Sequence, residues 1–176
     1  MIYTSFEDSK FGTISEALDV AEDKTGDYYK FSFEQWKRHR YDVKTLKSLN
    51  KDEISSYGFA LLNRYSSEIS GYENRKKKGD FYFICLQDHH ILDALIRDEN
   101  LILLSLLVYI FTHELVHIVR FCNFHQRYEI SGKGKESEER LVHATTYDIL
   151  KDISLPRMDY ILESYQGHRV CDLAVA

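Results

Sequence analysis

Leu101-Ile102-Leu103-Leu104-Ser105-Leu106-Leu107-Val108-Tyr109-Ile110-Phe111-Thr112-His113-Glu114-Leu115-Val116-His117-Ile118 decides the fold class, because it joins an apolar run to a His-Glu-x-x-His pattern. From Leu101 to Phe111 only Ser105 and Tyr109 carry a hydroxyl, so this segment predicts a helix that is apolar nearly all round and belongs in a core. Three ionisable side chains follow directly, and buried His and Glu need partners. On a helix His113 and His117 stand at i and i+4, one above the other, close enough to grip one metal ion. Glu114 beside them can take a proton from a water that the metal activates. The alternative is a pair of imidazoles hydrogen-bonded within a core; a metal satisfies all three groups at once.

The rest of the chain is sized for one domain. Its 176 residues, 44% hydrophobic and 14% aromatic, supply a single core, and neither repeats nor a linker divide it. A net charge of −5 gives no basic field for nucleic acid. The cationic run at 75–78 is closed by Gly79-Asp80 and reads as a solvated turn. Cys85, Cys122 and Cys171 are odd in number and widely spaced, which fits reduced thiols in a cytoplasmic protein. The first eight residues have neither a basic nor an apolar leader region, in line with that location. Leu101 to Phe121 is long enough to span a bilayer, but no second apolar span accompanies it to shelter the polar motif, so a buried helix of a soluble domain is expected.

Working outward from the motif, Asp98 or Asn100 is expected to cap its helix, which should run to about Phe121. Upstream, Phe81-Tyr82-Phe83-Ile84-Cys85-Leu86 is short, aromatic and bounded by polar residues, which predicts a largely buried strand. Capping boxes at Ser32-x-x-Gln35 and Asn50-x-x-Glu53 predict two helices, one burying Trp36, Val43 and Leu46, the other Ile54, Tyr57, Leu61 and Tyr65. The first thirty residues are weakly patterned. Downstream, Glu136 to about Lys151 predicts a helix with Leu141, Val142, Thr145 and Ile149 inward, and Pro156 and Gly167 frame a last short one. The expected class is α+β: a predominantly helical domain over 1–176 with a small antiparallel sheet. Its parts are a helical stretch at 1–80, the strand and two site helices at 81–151, and a C-terminal helix and tail at 152–176.

Catalytic zinc usually holds three protein ligands, so a third must lie downstream. A turn through Gly to a third His six residues past His117 is not available, since Arg120 and Asn123 occupy those positions. His125 has no spacing that recommends it. Glu139 and His143 stand at i and i+4 on one helix face beside the apolar stripe. Glu136 sits at the helix start, where the macrodipole favours an acid anyway, and Glu138 falls on a different face from His143. Solvated charge is the competing reading for all of these.

With these residues in place, the segment from Phe81 to Leu150 resembles the zincin superfamily of metallopeptidases, in particular its gluzincin branch, to which thermolysin-like enzymes belong. His113, Glu114 and His117 match the motif, and Glu139 follows His117 by 22 residues, a gap of the expected size. The resemblance implies Zn²⁺ held by His113, His117 and Glu139, with Glu114 as general base. It also implies an antiparallel edge strand above the motif helix that holds extended peptide, for which Phe81 to Leu86 is the candidate. The departure is His143, where the branch carries an Asp that orients the first motif His. An imidazole there can be outer support, a transition-state donor or a ligand. Tyr147, Tyr165, His168 and Arg169 are further candidates for an oxyanion donor, with His143 preferred because it is tied to the ligand helix.

The activity this implies is that of an intracellular zinc metallopeptidase, a hydrolase of peptide or protein substrates. Two alternatives use the same residues. One is a regulatory peptidase of the repressor-cleaving type; the other is a non-catalytic, metal-stabilised protein-binding domain, since 176 residues leave little room for a second lobe.

Overall fold

A computed structural model describes residues 3–65, 80–123, 132–166 and 171–173. The run at 75–78, His125, Gly167, His168 and Arg169 lie outside the described residues. Helix α1 (Phe11–Tyr29) opens the chain and α2 (Phe33–Trp36) follows at once, leading into strand β1 (Tyr41–Lys44). Strands β2 (Ala60–Tyr65) and β3 (Phe81–Leu86) come next. Four helices then run as α3 (Asp88–Arg97), α4 (Leu103–Cys122), α5 (Lys133–Leu150) and α6 (Met158–Tyr165), and β4 (Cys171–Leu173) closes the sheet. The class is α+β, as expected.

Helix α4 is the axis of this arrangement. Its residues from Ser105 to Val119 are all buried, and it is touched by α1, α5, α6 and the inner face of the sheet. It is the one described helix long and apolar enough to cross a membrane, but 83% of its most apolar window is buried inside the protein. It begins later than Asp98 or Asn100. Asp98 instead ends α3 in extended conformation, and its carboxylate accepts the Asn100 N–H at 3.0 Å to shape the link between the two helices. Ser105 donates to the Pro156 carbonyl at 2.6 Å, which ties the start of α4 to the approach to α6.

The weak pattern of the first thirty residues conceals a 19-residue helix. Its buried stripe is Ile14, Ala17, Ala21, Thr25 and Gly26, after the isoleucine all small side chains with little hydropathic contrast, and it lies along α4. Gly26 instead makes room for α2, since a Cβ there would sit 2.6 Å from the indole nitrogen of Trp36. The helix ends with Lys30 left-handed at φ 58°, so that Phe31 N–H reaches the Gly26 carbonyl at 2.9 Å.

Both capping boxes form, yet neither opens the expected helix. Ser32 and Gln35 bond each other's backbone, and α2 stops after 4 residues. Val43 then lies in β1 beside Ile84. Asn50 and Glu53 form the second box around a single 3₁₀ turn, Lys51–Glu53; Gly58, with φ 84°, precedes β2, which contains Leu61 and Tyr65. In both cases pairing with β3, remote in sequence, outweighs a local signal worth about 1 kcal/mol.

Strand β3 has the boundaries expected of it, with Tyr82, Ile84 and Leu86 turned into the core. Its place differs from expectation. The sheet order is β1-β3-β2-β4, with β1 parallel to β3, β2 antiparallel to β3 and β4 parallel to β2. The sheet is therefore mixed rather than antiparallel, and β3 is an interior strand with both backbone edges paired, not an edge strand. Helix α3, which the sequence reading did not anticipate although Ile91, Leu92 and Leu95 stand at helical spacing, is anchored by Asp88, whose buried carboxylate accepts the N–H groups of Phe6 at 2.9 Å and Leu46 at 3.0 Å.

Candidate metal centre

The site lies where α4 meets α5. On α4, Tyr109, His113 and His117 recur every four residues and so share one face, and Glu114 follows His113. On α5, Glu139 and His143 share a face in the same way. All six side chains are buried, His113, Glu114 and His117 completely.

Three side chains converge. His113 Nε2 and His117 Nε2 are 3.2 Å apart, Glu139 Oε2 is 3.4 Å from the first, and Glu139 Oε1 is 3.3 Å from the second. Ligand atoms about 2.0–2.1 Å from a tetrahedrally bound ion lie about 3.3–3.4 Å from one another, so each pairwise separation is of the size that shared ligation requires, although the two histidines face different oxygens of Glu139. Lone pairs from two imidazoles and a carboxylate, brought this close in a buried site, favour a cation or a shared proton between them. A second set shares two members: His113, Glu139 and His143 each offer a donor atom within 4.8 Å of the others. The tighter set, with His117, is the better fit to three ligands on one ion, and His143 stands at its margin. The residues can hold a metal ion in either arrangement.

Electrostatics prepare the donors. Burial disfavours the imidazolium of His113 and brings it down to about 4, so the ring is neutral, with a free lone pair, near pH 7. Burial pushes His117 the same way, but the hydrogen bond and charge of Glu139 outweigh it and raise the group above its ordinary value. Glu139 would itself be raised by burial; the two imidazoles hold it well below the usual carboxylate range. An ionised carboxylate flanked by one neutral and one readily protonated imidazole is a donor set for a divalent cation, with a proton on His117 as its competitor.

His143 does not do what an Asp would do in its place. The Nδ1 atoms of His113 and His117 are buried without a hydrogen-bond partner among the described residues, so His143 does not orient His113 through that atom. Its ring instead packs 4.6 Å from that of His113, and its Nδ1 lies 3.0 Å from the Tyr109 hydroxyl. Tyr109 escaped the sequence reading, although its position four residues before His113 is the signal that could have found it.

The competing acids separate cleanly. Glu136 is exposed, and Glu138, though buried, turns to Arg120. Tyr147 is on the outer surface, as is Leu141, while Val142 is fully buried. Tyr165 packs against the Tyr109 ring at 5.9 Å. In comparisons with known proteins, no family model, curated protein or solved structure matches the chain.

Proposed function

We propose that this protein is a zinc-dependent metallopeptidase of zincin type, acting on peptide or protein substrates. The observation that carries the reading is the convergence of His113, His117 and Glu139 within 3.2–3.4 Å of one another, with Glu114 next to His113 on the same helix. When bound, zinc supplies Lewis-acid polarisation and a nucleophilic water of near-neutral pKa. Glu114, close enough to His117 for its charge to favour the imidazolium, takes the proton of the attacking water and passes it to the departing amine. His143, held at Nδ1 by Tyr109, presents its remaining ring nitrogen as a donor to the developing oxyanion. Free Cys85 and Cys122 support a cytoplasmic setting.

The test is metal analysis and turnover of a peptide library by zinc-reconstituted protein. Wild type should retain close to one zinc per chain and cut peptide; Glu114→Gln should keep the metal and lose about 10²–10⁴-fold in rate. Zinc below about 0.2 per chain after reconstitution at a pH that deprotonates the ligands would sink the metal reading.

The complete burial of Glu114 and the interior position of β3 favour a second reading, a metal-stabilised domain without catalysis. It predicts stoichiometric zinc, a large loss of stability on chelation, and no peptide cleavage.

A further inference from the structure

The ligands come from two helices, so the metal geometry depends on how α5 is seated along and around α4. A slip of one turn, about 5.4 Å, would part every contact of the site. One polar pair stands where it can prevent this. Arg120 lies one turn beyond His117 on α4, and Glu138 immediately precedes Glu139 on α5. Arg120 Nε donates to Glu138 Oε1 at 2.6 Å and a terminal guanidinium nitrogen donates to Oε2 at 2.9 Å, a two-pronged contact that fixes direction as well as distance. The Glu138 side chain is 1% exposed and that of Arg120 16%.

A buried ion pair adds little net stability compared with apolar residues of the same volume, but parting it strands a charge in the interior. Its energy is therefore steep in displacement even where its depth is modest, which is the property a register pin requires. We propose that Arg120 and Glu138 are positioning residues that lock α5 against α4 so that Glu139 meets His113 and His117. This rests on the metal reading above and adds two residues that touch neither metal nor substrate.

The experiment compares the full-length wild type with Arg120→Gln, Arg120→Lys and the exchanged double variant R120E/E138R. Zinc affinity is read by chelator competition, and site geometry by the visible absorption of the cobalt(II)-loaded protein. Arg120→Gln should weaken zinc binding about 10–100-fold, the range typical of residues that support ligands, and should shift the cobalt bands from their tetrahedral position. Arg120→Lys, with a point charge in place of the fork, should fall between it and wild type, and the exchange should recover affinity. A merely stabilising pair would lower the melting temperature and leave the cobalt spectrum and the affinity of the folded protein unchanged; that result in Arg120→Gln overturns the proposal. Should Arg120→Gln not fold, wild-type affinity and spectrum in Arg120→Lys overturn it instead. An exchanged variant that folds yet binds as weakly as Arg120→Gln also overturns it, since the pairing would then not set the register. Wild type that takes up neither zinc nor cobalt fails the metal reading first, a result distinguishable from all of these.

Discussion

The hydroxyl of Tyr109 lies 3.0 Å from Nδ1 of His143, joining the face of α4 that carries His113 and His117 to the face of α5 that carries Glu139. Tyr109 is nearly fully buried and sits in the same four-residue repeat as the two motif histidines. Tyr109→Phe keeps the ring and removes only this tether. It should cost about 1 kcal/mol of stability in chemical denaturation, the ordinary worth of one hydrogen bond. Zinc content should be unchanged, while peptide turnover falls about tenfold through kcat because His143 is no longer aimed. Equal loss of zinc and turnover would show that the tether serves the metal rather than the oxyanion.

Glu53 provides a pH dependence away from the site. It is almost fully buried and accepts from Lys44 Nζ at 2.7 Å, Asn50 N–H at 2.8 Å and the Tyr65 hydroxyl at 3.1 Å. Burial alone would raise its carboxyl, but these donors together bring it below its ordinary value of 4.5. A carboxyl lowered by folding contributes stability that is present above the unfolded value and lost as pH falls through the folded one. The melting temperature should therefore drop on acidification below about pH 4.5, and Glu53→Gln should flatten that part of the curve while lowering stability at pH 7. An unchanged acid limb in the variant would assign the dependence to other carboxylates.

Gly26→Ala sets helix propensity against packing. In the interior of α1 the change is worth up to about 1 kcal/mol in favour of alanine. The new methyl would stand 2.6 Å from the Trp36 indole nitrogen, however, and Trp36 is wedged edge-on against Phe31 and His39. Overpacking of this kind costs about 1–3 kcal/mol, so a net loss is expected in the denaturant midpoint, with a change in tryptophan fluorescence. A stabilised variant with altered fluorescence would mean that the indole moves aside freely.

The parts of this structure legible in the sequence are those where local pattern and tertiary burial agree. The apolar run of α4 and the aromatic run of β3 are hydrophobic enough to fix both their type and their burial. Glu139 and His143 could be chosen by their shared face, and the structure does bring them to His113. Elsewhere the information is held by partners far along the chain. Val43 and Leu61 are strand residues because β3 lies between them, which no capping box near Ser32 or Asn50 can report. Beyond Ile14 the stripe of α1 is built from alanine, threonine and glycine and leaves little hydropathic trace. Arg120 and Glu138 look like surface charges until α4 and α5 are seen in contact.

The position of β3 bears on how a polypeptide could be selected. Its amides and carbonyls already answer to β1 and β2, so a docking chain finds no free main-chain ladder along it. On β1, at the margin of the sheet, the Val43 amide is already engaged by the side chain of Asp42 at 2.8 Å. Any main-chain pairing with a docking chain is therefore left to the margins of the sheet, β1 and β4, and not to the strand that lies against the motif helix.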